Sequence, residues 1–133
     1  MTDTALARSA VATGDAPGAI GPYSQAIVHG DVLYCSGALP IDPADGALVT
    51  DSPAAETVRC LENLAAICRA AGTELSNALR VTVYTTQLDR FAEINEAYGA
   101  FFPTAPPARV TIGVAALPKD AHVEIDAVVA IPR

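Results

Sequence analysis

Residues 52–72 read SPAAETVRCLENLAAICRAAG, and no other passage limits so strongly what the chain can fold into. Ser52 followed by Pro53 is a helix start. The serine oxygen can accept a free N–H of the first turn, and proline at the first helical position lacks an N–H that would have no partner there. Gly72 is a stop signal. Between them Val58, Leu61, Leu64, Ala65 and Cys68 recur at three- and four-residue spacing, which makes one apolar stripe and one wet face. Such a helix must lie on another layer, and its flanks indicate a sheet. Ahead of it, residues 26–29 and 32–36 surround Gly30-Asp31, a turn pair that joins two strands. A loop, PIDPADG at 40–46, follows them. Behind the helix, residues 79–86 alternate apolar with polar and are rich in β-branched side chains, the pattern of a half-buried strand.

A second helix is predicted from about 89 to 101, with Phe91, Ile94, Ala97, Tyr98 and Phe101 on one side, before proline at 103, 106 and 107 ends it. The stretch PPARVTIGVAALPKDAHVEID at 106–126 then reads as two strands joined by a turn at Leu117-Pro118-Lys119-Asp120. A hairpin centred there sets residue 113 opposite 124, 111 opposite 126 and 109 opposite 128. Arg109, Thr111, Gly113, Glu124 and Asp126 would then share a face, with Arg109 and Glu124 offset by roughly 13 Å and a small anion able to sit between them. In the last strand Val123, Ile125, Ala127, Val129 and Ile131 make one apolar face, and Val128 and Ala130 make the other partly apolar, as contact with a second subunit requires. The order β-β-α-β-α-β-β is that of an α+β layer structure with helices on one face of a mixed sheet.

Hydrophobic residues are 51% of the 133 and charged residues 17%. That balance argues against disorder, and without a run of about 18 uninterrupted apolar residues it argues against a membrane span. A formal net charge of −7 without a basic cluster argues against a nucleic-acid partner. The opening MTDTALARSAVATG lacks an apolar core behind a basic start, so it is not read as a secretory signal, and a cytoplasmic location is expected. Three cysteines do not make a disulfide framework. Cys60 and Cys68 are about 12 Å apart along the helix, too far for a bond or a shared metal, and all three, Cys35 included, read as small core residues.

The motifs GPYSQA at 21–26, LYCSGALPIDPADG at 33–46, FAEINEAYGAFF at 91–102 and PPARVTIGVAALPKDAHVEIDAV at 106–128 resemble the Rid family of reactive intermediate deaminases, also called the YjgF family. The likeness runs in order across about residues 16–131. It implies a chorismate-mutase-like fold spanning 1–133 as one domain, with 1–15 an N-terminal extension carrying a first strand, and a homotrimer with clefts between subunits. It also implies hydrolysis of 2-iminobutanoate and 2-iminopropanoate to 2-oxo acids and ammonia, without metal or organic cofactor. Other branches act on aminoacrylate or 2-aminomuconate, and a non-catalytic carboxylate-binding trimer is a further possibility.

Carried over residue by residue, the resemblance makes Arg109 the carboxylate grip and Glu124 the acidic residue near the reacting carbon. Tyr23, Ser36, Gly37 and Asn95 match other cleft positions, Phe91 a wall, and Thr111 a further lining position. The chemistry suits these types. A guanidinium holds a carboxylate through two parallel hydrogen bonds, and a carboxylate can take a proton from water attacking an electrophilic imine carbon. Asn95 in mid-helix is a poor helix former, which favours a side-chain role. Asp126 reads as a solvated face residue, and neither His29 nor His122 matches a family site. Two departures stand out: Thr111 occupies a position that is cysteine in many relatives, which removes any thiol-dependent mechanism, and Gly113 replaces a larger side chain, which would widen the space beside Glu124 and bear on substrate range.

Overall fold

The first helix forms where its signals place it. In the computed structural model, which describes residues 7–133, α1 spans Pro53–Ala70 and the Ser52 hydroxyl accepts the Ala55 N–H at 3.0 Å. Its stripe is shifted from the expected one. Cys60, Leu61, Leu64, Ile67 and Cys68 are buried, while Val58 is exposed because it falls outside the arc that meets the sheet. Glu56 and Asn63 lie inside that arc and are buried too.

The strands are β1 (Ser9–Val11), β2 (Ala26–His29), β3 (Val32–Ala38), β4 (Ala78–Thr85), β5 (Ala108–Gly113) and β6 (Val123–Ala130). The second helix, α2 (Phe91–Gly99), is entered through a 3-10 turn at Leu88–Arg90, so the helix expected from about 89 begins two residues later. β1 falls within the anticipated N-terminal extension; residues 1–6 of that extension lie outside the described residues. β2 and β3 make the expected hairpin, in which His29 pairs with Val32 and Gly30 takes a φ of +61°, a conformation that costs glycine little.

Among the described residues the six strands form one sheet ordered β1-β2-β3-β6-β4-β5. β6 runs antiparallel to β3 on one side and to β4 on the other, and β5 runs parallel to β4 at the edge. This overturns the hairpin expected of 106–126. β5 and β6 do not pair; β4 lies between them, and the Pro118–Asp120 turn spans the gap instead of closing a ribbon. The parallel register follows from the connection through α2, because a strand that leaves one layer and returns through a helix comes back in the same direction.

Helices cover one face. Val123, Ile125, Ala127 and Val129 of β6 point into that core with Leu33, Val81 and Val83, and each is at most 1% exposed. A fully buried aliphatic side chain of this size contributes about 1.5–3 kcal/mol relative to exposure. The other face is open and holds Tyr34, Val110 and Ile112, all more than 40% exposed. No helix among the described residues is long and apolar enough to cross a membrane.

Candidate functional site

The register assigns each candidate residue to a face. Val81 lies between Arg109 and Ala127, and Val83 between Thr111 and Ile125, so Arg109 and Thr111 project on the helix-covered side. Tyr84 lies between Ile112 and Glu124, and Thr82 between Val110 and Asp126, so Glu124 and Asp126 project on the open side. The single face expected for Arg109, Thr111, Gly113, Glu124 and Asp126 therefore does not exist. A hairpin would have carried its alternation straight across; the inserted β4 replaces that register.

Two clusters result. In the first, α2 presents its Asn95 to the edge strand, and Arg109 donates a hydrogen bond from Nη1 to Asn95 Oδ1 at 2.7 Å. The guanidinium carbon lies 4.8 Å from the Tyr98 ring centroid and 5.5 Å from that of Phe91, within cation–π range. Two aromatic rings and one amide thus fix a charged fork at the end of the sheet. Tyr98, which the motif reading had placed only on the apolar side of α2, is the residue it missed here. Its ring packs on Phe102, its hydroxyl has no hydrogen-bond partner among the described residues, and burial pushes its ionisation up. The Thr111 hydroxyl, two residues from Arg109 on the same face, is also buried without a partner among the described residues. Such groups are costly unless a ligand or water completes them.

The second cluster gathers where β3 passes β6. A Cβ built on Gly37 would lie 2.7 Å from Glu124 Oε2 and 3.0 Å from its Cδ, so the carboxyl group packs directly on the glycine backbone. The Ser36 hydroxyl donates to the Ser24 carbonyl at 2.6 Å, which ties β3 to the segment carrying Tyr23. Tyr23 is half exposed, and its phenolic oxygen accepts the Ile20 N–H at 3.1 Å. Tyr23, Ser36 and Gly37 also border a recess closed by Ile20, Leu39 and Ile67. Glu124 accepts no hydrogen bond among the described residues, and its ionisation is pushed up, first by burial and then by the negative charge of Asp126. Asp126 is not a merely solvated residue, since it accepts the Tyr84 hydroxyl at 2.8 Å.

Gly113 departs from expectation as well. It lies on the Arg109 side of β5, not beside Glu124, and an added Cβ would meet Leu88 Cδ2 at 3.2 Å. Leu88 fills the space that the glycine appeared to open.

Sequence reading also missed Glu56. It sits at the N-terminal end of α1, fully buried, and its two oxygens reach the loop before β6: Oε1 accepts the His122 N–H at 2.8 Å, and Oε2 lies 2.7 Å from His122 Nδ1. The His122 carbonyl in turn accepts the Thr85 hydroxyl and the Thr86 N–H. The segment two residues ahead of Glu124 is therefore held from α1 and from β4 at once. Among the described residues no three His, Cys, Asp or Glu side chains converge as ligands for a metal ion.

Comparison with known proteins points one way. The sequence profile described as Endoribonuclease L-PSP matches residues 13–131. The chain is 53% identical over 121 residues to the RutC family protein y4sK of Sinorhizobium fredii, covering 91% of this chain and 96% of that protein. It is 41% identical over 125 residues to the human 2-iminobutanoate/2-iminopropanoate deaminase, with 94% and 91% covered. Among solved structures, Escherichia coli TdcF with bound serine superposes with a TM-score of 0.87 at 38% identity, over 92% of this chain and 98% of that one. RidA from an Antarctic Psychrobacter gives 0.89 at 39%, over 92% and 99%.

Proposed function

Because the chain belongs to the Rid, or YjgF, family, we propose that it is a deaminase that hydrolyses short 2-imino acids, and their enamine tautomers, to 2-oxo acids and ammonia. The observation that carries this reading is the Glu124 carboxylate. It is half-buried, accepts no hydrogen bond among the described residues, and has its ionisation pushed up by burial and then by the charge of Asp126, which makes it a stronger base than a solvated carboxylate. The human relative named for 2-iminobutanoate and 2-iminopropanoate supports the substrate class, and the serine bound to TdcF is a small molecule with the same carboxylate.

The fixed fork of Arg109 grips the substrate carboxylate, with Asn95 and the Phe91 and Tyr98 rings setting its direction and the Thr111 hydroxyl beside it. Glu124 takes a proton from a water that adds to C2 of the protonated imine. The proton passes to the adduct nitrogen. Glu124 then takes the remaining hydroxyl proton as the C–N bond breaks and the C=O forms, and that proton goes to the departing ammonia, so protonated imine and water become 2-oxo acid and ammonium. Tyr23, Ser36 and the Gly37 backbone line the approach to Glu124 and exclude bulk water.

One chain does not bring these parts together. From Arg109 to Glu124 is two strand spacings across and three residues along, roughly 14 Å, and through the sheet. A 2-imino acid of three or four carbons cannot bridge that. The working cleft therefore pairs the Arg109 cluster of one copy with the Glu124 cluster of another, and the open face with Tyr34, Val110 and Ile112 is the surface that assembles, in this family as a homotrimer. Operation in the cytoplasm, on imines released there, belongs to the same proposal. A specialised substrate branch loses its motive with Leu88 over Gly113.

The test is ammonia release from freshly generated 2-iminopropanoate and 2-iminobutanoate by wild type, Arg109→Ala and Glu124→Gln, with mass measured in solution. The expected result is a trimer whose rate enhancement vanishes in Arg109→Ala and whose kcat drops in Glu124→Gln with KM little changed. A folded wild-type trimer without rate enhancement would leave a carboxylate-binding protein and refute the catalytic reading.

A further inference from the structure

β6 enters the sheet from a loop, because the strand before it in sequence is not its neighbour. The chain arrives through the Pro118–Asp120 turn, where Lys119 and Asp120 each take a φ of +59°. That left-handed region is costly for residues with a Cβ. Such an entry does not fix the strand's register by itself, and a slip of one residue would turn Glu124 to the other side of the sheet.

Hydrogen bonds from two elements converge on residues 122 and 123 instead. From α1, Glu56 Oε1 accepts the His122 N–H at 2.8 Å, Glu56 Oε2 meets His122 Nδ1 at 2.7 Å, and Cys60, one turn further on, donates from Sγ to the Val123 carbonyl at 3.6 Å. From β4, the Thr85 hydroxyl and the Thr86 N–H donate to the His122 carbonyl at 2.7 and 3.1 Å. Glu56 is itself anchored. It rises from the first turn of α1, where the Ser52 hydroxyl accepts the Ala55 N–H and Glu93 of α2 accepts the Ala54 N–H at 3.1 Å. A buried carboxylate is costly unless its oxygens are bonded, and both oxygens of Glu56 go to His122.

We propose that Glu56 and His122 are positioning residues, whose two-point grip sets where β6 starts and so holds the Glu124 carboxyl against Gly37. Glu124 lies two residues along the strand, and its carboxyl sits so close to the Gly37 backbone that one methyl group there would displace it. A strand start moved by about an ångström carries the carboxyl off that seat, and an error of that size lowers turnover by up to about 100-fold. The effect on turnover rests on the deaminase reading; the placement of Glu124 does not.

His122→Ala removes the ring, which is 38% exposed, and keeps the backbone N–H bond to Oε1, so the fold should survive. His122→Asn sets an amide nitrogen at the place of Nδ1, able to donate to Oε2, and His122→Gln carries the same amide one methylene too far. Each full-length variant is compared with wild type by steady-state ammonia release and by amide hydrogen exchange resolved over residues 122–125. His122→Ala and His122→Gln should each lose about tenfold in kcat with KM within about twofold, and exchange about tenfold faster over 122–125, with protection at Leu33 of β3 unchanged. His122→Asn should recover most of both. Wild-type kcat in folded His122→Ala and His122→Gln, a loss confined to KM, a kcat loss without faster exchange, or no recovery in His122→Asn would each overturn the proposal. A wild type without rate enhancement would refute the deaminase reading instead, and the exchange pattern alone would then decide whether the grip places Glu124.

Discussion

Gly37→Ala tests the catalytic reading at its tightest contact. The added methyl would stand 2.7 Å from Glu124 Oε2 and 3.0 Å from Cδ, where ordinary contacts begin near 3.4 Å, so the carboxyl must retreat by about 0.7 Å at the oxygen and 0.4 Å at the carbon. The φ of Gly37 is outside the left-handed region, and the atoms it would meet are the far end of a flexible side chain. Stability should accordingly stay within about 1 kcal/mol of wild type, because relief of glycine's unfolded-state freedom offsets the displaced contact. Catalysis should not be spared. A base moved by most of an ångström from the attacking water loses on the order of 10–100-fold in kcat, or about 1.4–2.7 kcal/mol of barrier, whereas KM, set by Arg109 on another cluster, should stay within about twofold. The assay is steady-state ammonia release with chemical denaturation in parallel. An unchanged kcat in a folded variant would refute Glu124 as the base, and a stability loss beyond about 2 kcal/mol would refute the claim that the side chain yields.

Asp126→Asn removes the negative charge that helps raise Glu124, so the Glu124 pKa should fall and the acidic limb of the kcat/KM profile should move to lower pH; an immobile limb would assign it to another group. Glu56→Ala would remove the acceptor of the His122 N–H and leave a gap where a fully buried side chain stood, and should cost about 2–4 kcal/mol in denaturant unfolding, while Glu56→Gln should recover part of that through the same acceptor oxygen. Tyr98→Phe deletes an unpartnered hydroxyl and keeps the ring under Arg109, so it should leave stability unchanged or raise it by up to about 1 kcal/mol; a marked loss would show that the hydroxyl is satisfied in solution.

What the sequence disclosed and what it hid divide by range. The α1 boundaries, the β2–β3 hairpin and the alternation of β4 and β6 are written in neighbours a few residues apart, in Ser52-Pro53, in Gly30-Asp31 and in the run from Val123 to Val129. Pairing is not. An alternating strand reads the same whichever strand lies beside it, so nothing in PPARVTIGVAALPKDAHVEID reveals that β4 separates β5 from β6 and sends Arg109 and Glu124 to opposite faces. Motif resemblance identified the candidate residues without their three-dimensional grouping. The Glu56–His122 clamp, 66 residues apart, carries no local signature. Asn95 is the intermediate case, since its awkward place in a helix flagged a side-chain role, and it accepts a bond from Arg109.

The position of β6 shapes how the molecule is made. Among the described residues it follows the other five strands in chain order, yet it lies inside the sheet, antiparallel to β3 and β4 alike. A chain emerging from the ribosome that has not yet released β6 holds β3 and β4 as two unfilled edges, with Leu33, Val81 and Val83 lacking the neighbours that bury them. The sheet then closes in one late step over long sequence separations, which slows folding and couples completion of the core to arrival of Glu124. A nascent chain therefore acquires the Glu124 carboxylate and its finished interior at the same moment, so a half-built copy has neither.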